Sequence, residues 1–372
     1  MKKRIKSAIL AIVITAAIGL AAAAASNAGS ASNPLISLSY LNNTLKNEIL
    51  NTAETSAANA LNPIYDNAVS QIDNIENTTG SEYNFSSVYT QKRLKNGDTI
   101  TGNLGSSFIL LAGEATVSFS SGGVVDITDG SAIASGSELK TDHRYFVADE
   151  YDAIFTVTSD TAVVQFEGDY KQNFSSSTDY NQLADALNTM GLFKGDETGY
   201  GSGYALERNA TRLEGLIMFI RLLGEEDEAL ASTSTHPFSD VPNWASKYVA
   251  YAYEKGYTKG TWVNTFGTND TLTAQHFVTL LLRALGYEEN VDFSWDTAMD
   301  SARTLGLINS AEQVLFSSGF NRARVVYMSY FALSKTFNGS SISLLNRLIN
   351  SGDIDAVTAS TAMSAVTTSR IV

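Results

Sequence analysis

A helical segment occurs twice in this chain, and the repeat limits the folds that the chain can adopt. Residues 211–224 and 273–286 share a threonine at the first position, an arginine at the eleventh and a glycine at the fourteenth. Apolar residues recur between them at the spacing of one helix face. Such a unit buries its apolar face only by packing on a neighbouring copy. We therefore expect amphipathic helices that pack on one another.

Both copies carry signals that start and stop a helix. Thr211 can cap the amide three residues on, and Glu214 can accept from the threonine amide in return, which forms a capping box. Thr273 holds the same position in the second copy. Gly224 and Gly286 follow the helices and can adopt the left-handed conformation that ends them. We predict that these five residues are structural caps.

A third unit of the same kind is predicted further along the chain, where Asn321 takes the place of the capping threonine. In each unit a first helix ends in a similar turn before the capped second helix begins. The turns are at residues 191–195, 256–260 and 306–310. Three helix–loop–helix repeats are therefore predicted over residues 180–340. Their approximate bounds are 180–230, 236–290 and 292–340.

Between residues 82 and 170 the period of the apolar residues changes to two. Short alternating segments, such as 116–120 and 144–147, are separated by turn signals such as Gly122-Gly123. Strands at regular spacing without helical segments between them favour antiparallel pairing. The predicted fold class is α+β and multidomain: a small antiparallel β-sandwich or roll, followed by an all-α pseudo-threefold bundle of the three repeats.

The N-terminus has the pattern of a secretory signal. A basic segment, an apolar segment and a run of small residues follow one another within residues 1–25, which we predict to be a signal peptide. A partly helical spacer is expected over 26–81, a linker at 171–179, and a C-terminal helix and tail at 341–372. No later segment has the ~18 consecutive apolar residues that a span needs, so no membrane contact is expected after signal cleavage.

Composition excludes several classes of function. The 372 residues include no cysteine, so the chain has no thiol nucleophile and no thiolate metal site. The three histidines are scattered without metal-ligand spacing, and we expect no metal and no cofactor. A net charge of −14 disfavours nucleic acid as a partner. No phosphate loop or nucleophile elbow occurs in a suitable context, so no catalytic residues and no enzyme activity are predicted.

The helical repeats resemble the S-layer homology domain. The tetrad that begins at Thr211 is similar to the Thr-Arg-Ala-Glu motif of that family. The other matching residues are Phe238, Asp240, Trp244, Gly256, Gly260, Phe266, Thr273, Arg283 and Gly286. The β domain more loosely resembles modules that precede such repeats in clostridial surface proteins.

The resemblance implies a secreted protein of the cell wall or cell surface. Such a protein is held non-covalently by secondary cell-wall polysaccharide, which often contains pyruvylated sugars. Other copies of the same protein are possible partners, through self-association in a surface layer. The predicted ligand-binding residues are Arg212, Arg322, Thr211, Gly256 and Trp244.

Arg212 is the residue on which the binding hypothesis depends. At the first position of a helix the macrodipole disfavours a cation, whereas free amides beside a guanidinium form a site for a carboxylate. Arg322 occupies the equivalent place in the third repeat, and Ala274 occupies it in the second. We therefore expect one or two working grooves rather than three. Without the family resemblance, an Arg212 paired with Glu214 on the surface is the simpler interpretation.

Two further interpretations concern other residues. Asp240 is predicted to be a helix N-cap, with Pro242 in the first turn. The β domain is the alternative seat of function, either as a hydrolase or as a glycan-binding module. A glycosidase needs two carboxylates ~5–10 Å apart, and the candidates are Asp142, Asp149 and Glu150. A glycan-binding face would expose aromatic residues such as Tyr145, Phe146 and Tyr151.

Overall fold

A computed structural model describes residues 83–195, 200 and 203–372, together with residues 45, 52, 55, 56 and 59. The predicted signal peptide at 1–25 and nearly all of the predicted spacer at 26–81 lie outside the described residues. Residues Glu82–Val372 form one compact unit, which carries everything described below. Within the described part of the chain, no helix combines the length and the apolar content of a membrane span.

Ten strands come first among the described residues of this unit. They are β1 (Asn84–Lys95), β2 (Thr99–Gly102), β3 (Ser107–Ala112), β4 (Ala115–Ser118), β5 (Val124–Asp126), β6 (Ser131–Ile133), β7 (Ser137–Glu138), β8 (Arg144–Val147), β9 (Ala153–Val157) and β10 (Thr161–Asn173). All pair antiparallel within one sheet, in the order β6-β5-β8-β3-β10-β2-β9-β4-β7, with β1 paired to β10.

Strand β10 is the corner of this sheet. Its residues 163–167 pair with β3, and its residues 170–173 pair with β2. Between the two halves stands Gly168, whose φ of +93° is a conformation that glycine adopts without strain. A Cβ atom at this position would lie 2.7 Å from the Cα atom of Ser106. The chain therefore needs glycine here to turn one strand from one set of partners to the other.

The turn at β10 makes the sheet nearly close on itself in the manner of a barrel. Phe108 of β3 stacks on Phe155 of β9, with ring centroids 4.3 Å apart, although two other strands separate β3 and β9 in the sheet. The core inside is built from the inward-facing apolar residues of most strands. The strands at the two ends of the strand order are short: β6 has three residues and β7 has two. The twelve-residue β1 pairs with β10 alone among the described strands, so its other edge has no strand partner.

The helices follow the sheet along the chain. They are α1 (Tyr180–Thr189), α2 (Arg212–Leu222), α3 (Glu226–Ala231), α4 (Ser246–Glu254), α5 (Ala274–Ala284), α6 (Ala298–Thr304), α7 (Ser310–Ser317), α8 (Arg322–Ala332), α9 (Leu344–Ser351) and α10 (Ala356–Ser364), with 3-10 turns at Asn243–Ala245 and Trp295–Thr297. Their apolar faces share one core. Helix α2 lies deep in it, and its Gly215 allows close approach of Leu272.

The sheet and the helices are joined by polar contacts. Asp160, in the turn before β10, accepts from Nε of Arg324 on α8 at 2.9 Å. Arg93 of β1 pairs with Asp185 of α1 at 2.9 Å. Thr161 donates to Glu207 at 2.9 Å. These contacts hold α1, α8 and the segment before α2 against the sheet.

The predicted fold class is therefore wrong. The strands form one nearly closed, barrel-like sheet of ten strands, because β10 belongs to both of its halves, whereas a sandwich needs two separate sheets. The helices do not form a separate all-α bundle either, since they share a compact unit with the sheet. A period of two in the apolar residues identifies strands, but it does not reveal that one long strand, β10, bends to pair with both halves of the sheet.

Candidate functional site

The start of helix α2 is closed by a capping box. The hydroxyl of Thr211 accepts from the amide of Glu214 at 3.2 Å, and the carboxylate of Glu214 accepts from the amide of Thr211 at 2.8 Å. Arg208 also donates to this carboxylate at 2.7 Å. Both side chains are thus engaged in capping the N-terminus of the helix, and the role of Thr211 here is structural.

The next two amides of α2 are also occupied. The amide of Arg212 donates to the carbonyl of Asp270 at 2.8 Å, and that of Leu213 donates to the carbonyl of Thr268 at 3.4 Å. The loop at residues 268–270 therefore takes the donors that we expected to bind an anion. The expectation that exposed helix amides contribute to an anion site was wrong in this respect, and among the described groups at the start of α2 it is the guanidinium of Arg212 that offers donors to a ligand.

The Arg212 side chain is held by one residue of that loop. Its Nε and Nη2 atoms both donate to the carbonyl of Phe266, at 3.2 and 3.1 Å, and the guanidinium lies 5.3 Å from the centroid of the Phe266 ring. Among the described residues no carboxylate lies within ion-pair distance, and none accepts from Nη1. Burial lowers the pKa of Arg212, and the charge of Asp270 opposes the shift. The carbonyl of Phe266 thus holds the guanidinium in place, and its Nη1 atom has no hydrogen-bond acceptor among the described residues.

Asp240 shapes the same loop. Its carboxylate accepts from three successive amides, those of Phe266, Gly267 and Thr268, at 2.7 to 3.0 Å. Burial alone would raise the pKa of Asp240, but these hydrogen bonds lower it. The predicted N-cap was wrong, because the 3-10 turn begins after Pro242 and that residue stands at its cap position. Asp240 instead clamps the loop whose carbonyl holds Arg212.

A cleft of about 400 Å³ opens beside Arg212, between α2, α5 and the loop at 258–266. Its polar and aromatic lining includes Arg212, Lys259, Phe266, His276, Arg283, Glu289 and Trp295. Of the five predicted ligand-binding residues, only Arg212 lines it. Two other cations of the lining, Lys259 and Arg283, could also contact an anion. No motif in the sequence indicated that these two residues bind a ligand.

His276 completes the capping box at the start of α5, as Glu214 does at the start of α2. Its Nδ1 atom accepts from the amide of Thr273 at 3.2 Å, and the Thr273 hydroxyl accepts from the amide of His276 at 3.2 Å. An accepting Nδ1 atom implies a neutral ring with its proton on Nε2. Burial and the charge of Arg212 lower the pKa of His276 to about 4. At neutral pH it therefore presents an uncharged donor beside Trp295, whose ring is 5.0 Å away.

Two further cations of the cleft share one carboxylate. Arg283 donates from Nη1 to the carbonyl of Tyr257 at 2.6 Å and from Nη2 to Glu289 at 2.8 Å. Lys259 also pairs with Glu289. Burial would raise the pKa of Glu289, but these two cations lower it, so this carboxylate is charged at neutral pH. The lining thus carries three cations and one anion in a protein of net charge −14.

Arg322 repeats the contacts of Arg212 but lies in the core. Its Nε atom donates to the carbonyl of Tyr204 at 3.0 Å, and its guanidinium lies 5.7 Å from the centroid of the Phe193 ring. Only 3% of the residue is exposed. The structure therefore places Arg322 out of reach of a ligand, and its hydrogen bond and ring contact join α8 to the chain at Phe193 and Tyr204. Asn321 caps this helix by accepting from the amide of Arg324 at 3.1 Å.

The remaining predicted residues lie outside the cleft lining. Gly256 has a φ of +73° and follows α4, whereas Trp244 is 66% exposed on a 3-10 turn. Gly224 and Gly286, with φ of +70° and +85°, follow α2 and α5. Positive φ at these three glycines gives them a role in ending helices.

The sheet carries a second, more open groove of about 470 Å³. It is lined by Ser118, Phe119, Ser120, Glu150, Tyr151, Asp152 and Ile154. Of the three aromatic residues predicted for a glycan-binding face, Tyr151 is exposed and lines this groove, while Tyr145 is buried and its hydroxyl accepts from the amide of Lys140 at 2.7 Å. Of the three candidate carboxylates, Glu150 alone lines it.

One cluster of the sheet has the residue types of a metal site. Asp126, Asp129 and His143 bring three possible ligand atoms within 4.8 Å of one another, which the sequence spacing did not indicate. The Nδ1 atom of His143 lies 2.8 Å from Asp126, and the ammonium of Lys140 lies 2.5 Å from Asp129. Since Lys140 already supplies a cation to Asp129, the cluster is explained by its own internal contacts.

No protein-family profile matches the chain. The chain is 29% identical to the Middle cell wall protein of Brevibacillus brevis over 126 residues, which are 33% of this chain and 12% of that protein. It is 33% identical to Cell surface glycoprotein 1 of Acetivibrio thermocellus over 102 residues, 26% of this chain and 4% of that protein. An Endoglucanase of a Bacillus species is 35% identical over 82 residues, 22% of this chain and 8% of the enzyme.

The chain thus spans only 4 to 12% of the length of these three relatives. Among solved structures, the epimerase RmlC of Legionella pneumophila matches 28% of this chain and 56% of its own at 18% identity, with a TM-score of 0.16. A TM-score this low does not indicate a shared fold. The named cell-wall and cell-surface relatives identify this as a cell-surface protein, and the predicted localisation is confirmed.

Proposed function

We propose that the protein is anchored non-covalently to the cell wall, and that the cleft beside Arg212 binds an anionic secondary cell-wall polysaccharide. In this proposal the helical repeats act as S-layer homology repeats do, and the anionic group is the carboxylate of a pyruvylated sugar. The observation that carries the proposal is the state of Arg212: it is positioned by Phe266, it lines the cleft, and no described carboxylate neutralises it at close range.

The geometry of the guanidinium suits a carboxylate. The Nε and Nη2 atoms are engaged on one side by the carbonyl of Phe266. The Nη1 atom and the second hydrogen of Nη2 form the other edge of the fork, which can donate to two carboxylate oxygens. His276 adds a neutral donor and Trp295, 38% exposed, adds an apolar surface. Sugars combine polar hydroxyls with apolar ring faces, and this lining offers a partner for each.

Binding rather than catalysis is the activity that we propose. Hydrolysis of a glycosidic bond uses two carboxyl groups on either side of the bond. The described lining of this cleft holds one carboxylate, Glu289, which is paired with Lys259 and Arg283. The similarity to an endoglucanase covers 8% of that enzyme, so it gives no reason to assign hydrolysis here. Self-association in a surface layer stays a prediction.

The test is binding of the full chain to purified cell walls, with and without removal of their secondary polysaccharide. Arg212→Gln removes the charge, and we expect ten- to hundredfold weaker binding, as for a lost charge-assisted hydrogen bond of about 1.5–3 kcal/mol. Arg303→Gln is the matched control, because Arg303 is an exposed cation outside the cleft. Equal binding by the two folded variants would refute the proposal, as would undiminished binding to stripped walls.

A further inference from the structure

Glu289 is the one carboxylate among the described residues that line the cleft. A single oxygen, Oε2, accepts from Arg283 at 2.8 Å and pairs with Lys259. No described residue donates a hydrogen bond to Oε1 of Glu289. The side chain is 15% exposed, so most of it is withdrawn from solvent. A charged group of this kind inside a predominantly cationic cleft reduces the attraction for any anionic ligand.

We propose that Glu289 is a specificity-determining residue, which lowers the affinity of the cleft for doubly charged ligand groups more than for singly charged ones. The preferred ligand group is then a carboxylate rather than a phosphate monoester. This inference rests on the proposed glycan-binding function of the same cleft, and it goes beyond that function by assigning the charge of the ligand to a residue.

The charges of the lining give the direction of the effect. Arg212, Lys259 and Arg283 contribute three positive charges and Glu289 one negative charge, which leaves a net charge of +2. Without Glu289 the net charge is +3. Coulomb energy is proportional to the charge of the ligand. If Glu289 weakens a monoanion by a given factor, it therefore weakens a dianion at the same place by about the square of that factor.

The hydrogen bonds act in the same direction. A carboxylate has two oxygens, and the unused edge of Arg212 can satisfy both. A phosphate monoester has three terminal oxygens and a second charge, so it needs a further cation. The other cations of the lining are Lys259 and Arg283, and Glu289 already occupies both. A dianion must therefore compete with Glu289, whereas a carboxylate bound to Arg212 leaves these pairs intact.

Two small probes with the full chain test the inference by calorimetry at pH 8. One is a methyl hexoside with a 4,6-linked pyruvate ketal, which carries one charge, and the other is the same hexoside with a 6-phosphate, which carries two. We expect Glu289→Gln to tighten binding of the ketal about threefold and of the phosphate about tenfold, since the factor for a dianion is about the square of the factor for a monoanion. The preference then shifts about threefold toward the phosphate.

Two variants control for other effects of the substitution. Glu288→Gln makes the same change in net charge at the preceding residue, which is exposed and outside the cleft lining, and it should leave the preference unchanged. Glu289→Asp keeps the charge and should also leave it unchanged. If Glu289→Gln alters both affinities equally, or weakens both, the inference is wrong, and Glu289 serves to position Lys259 and Arg283. If the wild type binds neither probe, the proposed function itself fails.

Discussion

Arg324 and Asp160 form an ion pair of 2.9 Å that joins helix α8 to the turn before strand β10. The two side chains are only 15% and 18% exposed. Asp160 also accepts from the side chain of Asn321 at 3.3 Å, and Arg324 donates to the carbonyls of Leu315 and Gly319. One charged pair thus connects the sheet, the cap of α8 and the end of α7.

This pair makes a prediction about stability. Arg324→Ala leaves the carboxylate of Asp160 mostly buried without its cation, and we expect the free energy of unfolding to fall by ~2–4 kcal/mol. Urea denaturation with and without the substitution measures the loss. Arg303→Ala breaks an exposed pair with Asp300 and should cost less than ~0.5 kcal/mol. Similar losses in the two variants would show that the sheet and the helices do not depend on this contact.

A second prediction concerns Arg322 and Arg212, which make the same kinds of contact, to a backbone carbonyl and an aromatic ring, but differ in exposure. Arg322→Gln removes a buried guanidinium that bonds to the Tyr204 carbonyl and covers the Phe193 ring. We expect it to cost ~2–4 kcal/mol of stability and to leave wall binding by the folded protein unchanged. Arg212→Gln should show the opposite pattern. The measurements are thermal unfolding and wall binding of both variants, made side by side. Loss of binding by an Arg322→Gln variant that remains stable would contradict this assignment.

His276 makes a prediction about pH. Its pKa is about 4 in the folded protein and 6.5 in the unfolded chain, so between these values the unfolded chain binds more protons. Its contribution to stability is fully present above pH 6.5 and is lost as the pH falls toward 4. His276→Gln keeps a capping-box side chain but does not titrate. Urea midpoints from pH 7 to 4 should fall less steeply for His276→Gln than for the wild type, and parallel curves would exclude the effect.

Gly168 makes a prediction about the sheet. Gly168→Ala introduces both an unfavourable positive φ and a Cβ atom 2.7 Å from the backbone of Ser106, so we expect a loss of at least ~2 kcal/mol. Gly123→Ala is the matched control, because no atom lies within 4 Å of a Cβ there and its φ is not positive. Chemical denaturation followed by circular dichroism compares them. A neutral Gly168→Ala would mean that the corner of β10 can relax.

Local chemistry could be predicted from the sequence, whereas long-range contacts could not. The capping box of Thr211 and Glu214 lies within four residues, and its pattern was visible. In contrast, Arg212 contacts Phe266, which is 54 residues further along, and nothing near Arg212 indicates that a loop would take the helix amides. The capping by His276 was also missed, because a histidine at that position departs from the usual glutamate or glutamine.

The fold class failed for a related reason. Alternation of apolar residues located strands within 82–170, but it carries no information on which strands pair. The outcome depends on Gly168, one of the 27 glycines of the chain. Its role follows from the approach of Ser106, a contact between distant residues that only the folded chain brings together.

The pairing of β1 with β10 joins two strands that lie far apart in the sequence. Lys95 pairs with Thr161 and Asn84 with Tyr170, so the first strand must wait for partners that follow it by 66 to 86 residues. Contacts at such separations carry a large entropic cost of loop closure and slow the folding of a chain. Until β10 has joined, β1 has an unpaired edge on both sides, and unpaired strand edges promote aggregation.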